Sequence, residues 1–338
     1  MAVTITMIHL LVPVARRIGL VDCPDARKAH SGAVPLVGGI AMFCGVAFGL
    51  LVWGGSVPGM RALIGGGALL VIVGVLDDFH ELGTRSRFVA QIIAALMMAL
   101  WAGVLLVDLG HLISNKLLAL GWFGIVLTVF STVGVINAIN MCDGMDGLAG
   151  GLVTTALLGL LFVVGSNGVW FVPICVVLAA VVGFLVLNVR LGVRPRAVTF
   201  MGDAGSMLLG FLLCWLLVEL SQAPQRNMPP VLALWLVAIP LLDTISMMVR
   251  RKLAGRSATS ADREHFHHLF LRSGFSVNRT LIIILLLAAL FALAGIAALE
   301  LGVEEYVMFY AFCGLSLVYL ALVMRAWSTR RWLGRTVE

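Results

Sequence analysis

Apolar runs separated by short polar breaks recur from one end of this chain to the other. Cutting wherever charge, proline or clustered glycine interrupts them gives eleven candidate spans. These begin near Met1, Leu36, Arg61, Phe88, Gly121, Gly147, Val169, Asp203, Pro229, Thr280 and Glu305, and the first and third are the shortest. The runs are continuous and lack period-two alternation, and in lipid only helices and closed barrels satisfy their own backbone groups, so the pattern predicts helices. The expected fold class is all-α, a polytopic integral membrane helical bundle of about 11 transmembrane helices.

Composition strengthens that picture. Of 338 residues 61% are hydrophobic and 12% charged, and the mean hydropathy is +1.07. Soluble domains carry a charged fraction of about 25%, and at half that value the chain could not cover a globule with polar surface, which excludes a water-soluble enzyme. The formal net charge of +6, from 23 Lys+Arg against 17 Asp+Glu, does not indicate a nucleic-acid partner, because the basic residues fall between apolar segments and read as topology. With connections assigned alternately to two sides, only Arg61, Lys116 and Arg226 fall on one side and all other Lys and Arg on the other. The positive-inside rule then puts the N-terminus outside and the C-terminus in the cytoplasm. Arg16 and Arg17 follow the first apolar run and no small-residue cleavage site comes after it, so the run reads as a retained span. The six cysteines are isolated, which indicates neither a disulfide framework nor a zinc knuckle.

Laid on the same map, the acidic motifs gather at the cytoplasmic ends of different helices. Asp77, Asp78 and Glu81 end the third span, and their mutual repulsion requires a hard divalent cation or a cationic partner such as Arg85 or Arg87. Between Asn137 and Leu148 two Asp-Gly steps, at Asp143 and Asp146, predict tight turns that expose both carboxylates and backbone amides to a phosphorylated ligand, or else a turn capped by Asp and Asn. Asp203, in Phe200-Met201-Gly202-Asp203-Ala204-Gly205-Ser206, either ligates a metal or caps a helix, with small neighbours that admit a bulky ligand. Asp243 lies about two turns before Arg250 and Arg251, roughly 10 Å from the interface, where an ionisable group is a functional candidate. In His265-Phe266-His267-His268, positions 265 and 268 share a helix face, and the surrounding Arg250, Arg251, Lys252, Arg256 and Arg263 favour an anion over a metal. Arg27, Lys28 and His30 precede a glycine-marked helix start at Pro35 to Gly39 and suit a lipid phosphate at headgroup level.

Together these blocks resemble the polyprenyl-phosphate N-acetylhexosamine-1-phosphate transferases, in order, from about Arg16 to Arg279. The His-x-His-His form is similar to bacterial members that use UDP-N-acetylglucosamine. The peptidoglycan-precursor branch has three consecutive histidines, a run that Phe266 breaks here. The resemblance implies transfer of N-acetylglucosamine 1-phosphate from UDP-N-acetylglucosamine to undecaprenyl phosphate, with Mg²⁺ as cofactor and Mn²⁺ as its substitute. It implies catalytic roles for Asp77, Asp78, Asp143, Asp146, His265, His267 and His268, and ligand binding by Lys28, His30, Asn140, Arg250 and Arg251. Asp203 and Asp78 are the implied metal ligands, and Asp77 or Asp78 the base. Residues 1–325 would form one transmembrane catalytic domain and 326–338 a basic cytoplasmic tail, in the bacterial inner membrane. Membrane lipid and a second copy of the chain complete the expected partners. A cation-coupled nucleotide-sugar transporter would instead show broken helices and polar groups near the midplane, where only Asp243 approaches. The same transfer with another UDP-N-acetylhexosamine stays open.

Overall fold

The computed structural model describes residues 1–22, 32–54, 57–190, 196–222, 226–253, 255 and 265–335, with side chains as far as Trp327. The chain is a helical bundle. In order its helices are α1 (Ala2–Ile18), α2 (Gly38–Trp53), α3 (Met60–His80), α4 (Thr84–Leu96, continued by a π-helical turn at Met97–Trp101), α5 (Phe123–Cys142), α6 (Leu148–Val164), α7 (Phe171–Asn188) and α8 (Gly202–Gln222). They continue with α9 (Pro230–Leu236), α10 (Ala238–Leu253), α11 (Phe266–Arg272), α12 (Val277–Glu300) and α13 (Glu305–Arg335). Each of the eleven expected starts falls at or close to a helix start. Among the described residues six helices, α3, α5, α7, α8, α12 and α13, are long and apolar enough to cross a membrane, and α9 with α10 makes a seventh if that bent pair is one span. The third run, expected among the shortest, is instead a 21-residue helix. Its terminal Asp77 and Asp78 do not end the helix as an apolar-run criterion assumes, because it continues to His80 with Glu81 as a left-handed cap.

The break between α9 and α10 has a local cause. Pro240 stands third in α10 and has no N–H, and its ring conflicts with the carbonyl of Leu236, so α9 cannot run straight on; the two axes diverge by 77°. Elsewhere glycine ends helices where a left-handed residue is needed, as at Gly19 after α1. Ser276 opens α12 by accepting from the Arg279 N–H at 3.3 Å.

Helix α8 is the axis of the bundle, with 94% of its apolar stretch buried inside the protein. Glycine and alanine allow its neighbours to reach its backbone. A Cβ on Gly74 of α3 would stand 2.3 Å from Ala204 Cα, one on Gly39 of α2 would stand 2.3 Å from Gly205 N, and one on Gly210 would stand 2.5 Å from Ile136 Cα of α5. In lipid, helices associate through such close packing because apolar burial offers no advantage over contact with acyl chains. Hydrogen bonds fasten the same end: Gly38 N–H donates to Phe200 O at 3.0 Å, Gly39 N–H to Met201 O at 3.1 Å and Phe200 N–H to Pro35 O at 3.0 Å. A two-residue ribbon, β1 (Val21–Asp22) with β2 (Val34–Pro35), leads into this clasp.

At the other end of α8, the Gln222 carboxamide accepts from the N–H groups of Val107 and Asp108. Those residues open a small hairpin, closed by Leu120 N–H to Val107 O and by an Asp108–Ala119 bridge. Arg226 binds both Asp108 oxygens, at 2.6 and 2.7 Å. The acidic motifs and this hairpin therefore occupy opposite ends of the bundle. The five described cysteines, Cys44, Cys142, Cys175, Cys214 and Cys313, are free thiols.

Replacing Gly74 by alanine is expected to lower the melting temperature in detergent, by a destabilisation of about 1–3 kcal/mol from overpacking against backbone that cannot yield. Gly134→Ala, whose new methyl meets nothing within 4 Å, is the control. Equal melting of the two variants would contradict close packing at Gly74.

Candidate active site

Three carboxylates meet where α3 ends and α8 begins. Gly74 brings the last turn of α3 onto Ala204, which carries Asp77 and Asp78 to the first turn of α8. Gly202 takes φ +67° and packs against the Asp78 carboxylate, whose Oδ1 accepts from the Asp203 N–H at 3.1 Å. One nitrogen of Arg87, from α4, serves two acids: Nη1 lies 3.1 Å from Asp77 Oδ2 and 3.0 Å from Asp203 Oδ2. The Asn140 amide, from α5, donates to Asp203 Oδ1 at 2.6 Å and to Ser206 Oγ at 2.8 Å. Four helices thus converge on Asp203.

One guanidinium facing three acids leaves the cluster short of positive charge, and Asp77 Oδ1 and Asp78 Oδ2 are buried with no hydrogen-bond partner among the described residues. Hard oxygen donors left over in this way fit a divalent cation such as Mg²⁺. Among the described residues no three His, Cys, Asp or Glu side chains are close enough to enclose an ion by themselves. The carboxylates present could supply one or two oxygen ligands to such an ion, and no more.

The loop after α5 departs from expectation. Asp143 and Asp146 are half-buried, not exposed as the two Asp-Gly turns suggested. Burial pushes the Asp143 carboxyl well above the usual carboxylate range, and the negative charges of Asp203, Asp78 and Asp146 push it the same way. Asp146 has a different task, since it pairs with Arg190 Nε. The Asn188 side chain beside it accepts from the Gly147 N–H at 2.7 Å and donates to Thr199 O at 2.9 Å, while the Asn278 amide donates to Arg190 O at 3.0 Å. Asp146 thereby ties the start of α6 to the exit of α7 and the start of α12.

Above that loop lie the histidines. His265 is the N-cap of α11 rather than part of it, so it does not share a helix face with His268 as the spacing suggested. Its ring stacks instead on His267, with centroids 5.7 Å apart and planes 10° apart. His267 and His268 follow at 4.2 Å. A methyl group on Gly144 would stand 2.7 Å from His267 Nε2, so only glycine there lets the ring lie against the Asp143 loop. His267 is buried, and that burial, followed by the charges of His268 and His265, pushes its pKa down to about 3. Its ring is therefore held neutral and is not the phosphate-binding cation that protonation would have made it.

Arg250 and Arg251 are also buried near the end of α10. The Arg250 guanidinium lies 4.9 Å above the Trp327 ring of α13, and Arg272 lies 5.2 Å from the same ring. Arg251 reaches Met247 Sδ at 3.5 Å. The expected ligand-binding residues Lys28 and His30, with Arg27, lie outside the described residues, as do Arg256 and Arg263. Sequence reasoning missed Arg87 as a member of the site, having treated it only as a counter-ion that would make the acids uninteresting. It also passed over Gln91, whose buried side chain accepts from the Asn137 amide at 2.7 Å one turn beyond Arg87. Polar residues at 87 and 91, one helical turn apart on α4, were the available signal.

Because the unfolded chain takes up a proton on His267 below about 6.5 and the folded protein does so only near 3, the stability this neutral ring contributes is present above pH 6.5 and is lost as pH falls through 3. Asp143 acts with the opposite sign, since its pKa is raised in the fold. The test is therefore differential. Melting temperature should fall more steeply with acidification in the wild type than in His267→Asn, and parallel profiles would contradict a buried neutral His267.

Comparison with known proteins follows the same residues. A family model described as glycosyl transferase family 4 matches residues 60–221, the stretch from α3 through α8. The chain is 40% identical over 325 residues to the undecaprenyl-phosphate alpha-N-acetylglucosaminyl 1-phosphate transferase of Yersinia pestis, covering 95% of this chain and 89% of that protein. It is 37% identical over 326 residues to the enzyme of the same description from Escherichia coli (strain K12), covering 95% and 88%. The Haemophilus influenzae counterpart is 36% identical over 329 residues, covering 96% and 92%. With identity of this size running nearly end to end, the chain belongs to the family its motifs resemble, the polyprenyl-phosphate N-acetylhexosamine-1-phosphate transferases.

Proposed function

We propose that the protein transfers N-acetylglucosamine 1-phosphate from UDP-N-acetylglucosamine to undecaprenyl phosphate, giving the lipid diphospho-sugar and UMP. The observation that carries this reading is the meeting of Asp77, Asp78 and Asp203 at one end of a membrane bundle, with Arg87 shared by Asp77 and Asp203, Asn140 on Asp203 and the Asp203 N–H on Asp78. A soluble donor and a membrane-held acceptor can both reach such a place. All eleven apolar segments then span or enter the bilayer of the bacterial inner membrane, with the N-terminus outside, the C-terminus inside and the acidic end facing the cytoplasm. Residues 1–325 act as one catalytic unit, and 326–338 as its basic tail.

Two phosphorylated reactants repel each other, so the site's first task is charge neutralisation. Asp203 and Asp78 would hold a Mg²⁺ ion, which would supply that neutralisation. Arg87 adds a fixed positive charge from α4, and it can exchange a carboxylate for a phosphate oxygen without leaving its place between α3 and α8. Asn140 holds Asp203 in orientation through a short hydrogen bond. Asp143, whose carboxyl retains a proton more readily than an ordinary acid, suits proton exchange with a phosphomonoester, which itself ionises near neutrality. With Asp77, it forms the acid–base side of the site. Arg250, Arg251 and the His265–His268 cluster stabilise the charge that develops on UMP as it leaves. Lys28 and His30 hold the lipid phosphate. Direct attack by that phosphate needs no covalent enzyme intermediate, because the nucleophile is already ionised.

UMP release by purified protein in detergent, with undecaprenyl phosphate and Mg²⁺, tests the reading. Release is expected with UDP-N-acetylglucosamine, to be absent with UDP-muramyl-pentapeptide, and to stop on chelation or omission of the lipid. Asp203→Asn should lower turnover by about 100-fold or more, the scale on which a preorganised charge contributes. Turnover near wild type in that variant, or release with the muramyl donor alone, would contradict the assignment.

A further inference from the structure

Asp243 has no role in the reaction as described so far, yet both its carboxylate oxygens are engaged inside the bundle. It is buried in α10. Oδ2 lies 3.1 Å from His265 Nδ1, and Oδ1 accepts from the Phe266 backbone N–H at 2.9 Å. The two donors belong to adjacent residues, so one carboxylate grips the entry to α11 by side chain and backbone at once. An ionised carboxylate can only accept hydrogen bonds, so Nδ1 of His265 carries a proton. Nε2 is then the nitrogen left to exchange one.

The contact continues away from Asp243. The His265 ring stacks on His267, whose own ring lies against Gly144 beside Asp143. A chain of packed groups thus links the middle of α10 to the acidic loop after α5. Titratable groups near Asp243 and His265 are Cys142 from α5, Arg250 from α10, His267 and His268 from α11, and Tyr319 from α13, whose ring lies 5.2 Å from Phe266; α9 and α12 also pack on α10. Helices α10, α11 and α13 all lie beyond residues 60–221, the stretch that the family model matches.

We propose that Asp243 is a positioning residue for the transfer reaction. Its carboxylate fixes His265 as the Nδ1–H tautomer and aligns the ring, so that Nε2 is the atom that exchanges a proton with the phosphate oxygen leaving with UMP. In that step the bond between this oxygen and the transferred phosphorus breaks and a bond from the lipid phosphate oxygen forms; Nε2, having first taken up a proton from solvent, passes it to the departing oxygen, and His265 returns to the neutral Nδ1–H tautomer. The inference rests on His265 belonging to the catalytic site, as set out under the proposed function.

The test combines a spectroscopic readout with kinetics on the full-length protein. Nitrogen-15 NMR of histidine-labelled wild type should show His265 protonated at Nδ1. In Asp243→Asn the carboxamide still accepts from Phe266 but now presents an N–H to the ring, so the His265 tautomer should invert. That variant should lose about 10-fold or more in kcat with a much smaller change in KM for UDP-N-acetylglucosamine, and Asp243→Glu should recover part of the loss. Adding Asp243→Asn to His265→Ala should cost nothing further, because the carboxylate acts through the ring. A wild-type His265 protonated at Nε2 alone, or additive losses in the double variant, would overturn the proposal. Absence of UMP release by the wild type would instead overturn the transferase reading, while the tautomer measurement would still decide what Asp243 does.

Discussion

The approach of α8 to α2, α3 and α5 is closer than side chains permit, and it depends on Gly39, Gly74 and Gly210 having none. Those contacts put backbone against backbone, so the relative heights of the helices are fixed to within a fraction of a turn. Because lipid competes equally for apolar side chains, interlocking shape and internal hydrogen bonds carry the specificity of the bundle. The clasp between Pro35–Gly39 and the residues leading into α8 adds directional bonds at the same end. What is fixed there is the position of Asp203 relative to the Asp77–Asp78 pair, and a slip of one residue in α3 would turn that pair away.

Electrostatics follow from this geometry. Three acids brought together by helix packing are a cost that the fold offsets only in part, with one guanidinium and one amide. The remaining deficit of positive charge is what underlies the proposal of a hard cation and, with it, a phosphorylated ligand. The second half of the site is built differently. Here His267, Arg250 and Arg251 are buried beside a half-buried Asp143, one imidazole is held neutral, and an aromatic ring from α13 flanks two arginines. A rigid acidic rim therefore adjoins a drier basic and imidazole cluster, a division suited to holding a diphosphate from both ends.

Much of this was legible in the sequence, and the exceptions have physical causes. Apolar runs located every long helix, because uninterrupted hydrophobicity over about 20 residues is what lipid requires. They misjudged α3, since a helix can carry acids in its last turn when those acids face protein partners. The break at Val237 and the short α11 left no mark in hydropathy, and the helix-breaking effect of Pro240 went unread. Among site residues, Asp77, Asp78, Asp143, Asn140 and Asp203 converge as the motif order implied. Asp146 shows what a motif cannot reveal, since its pairing with Arg190 depends on a chain crossing more than forty residues away. The stacking of His265 on His267 was hidden for a similar reason: a capping residue leaves the helical register, so periodicity does not apply to it.

The central claim is that helix packing assembles an acidic cluster short of positive charge at the head of α8. The most direct measurement is the melting temperature of the purified protein as Mg²⁺ is added without either substrate, in the wild type and in Asp203→Asn. The account predicts a rise with Mg²⁺ in the wild type, following ligand linkage, and a much smaller rise once one of the three acids is neutralised. A wild type whose melting ignores Mg²⁺, or an Asp203→Asn variant that responds equally, would contradict it.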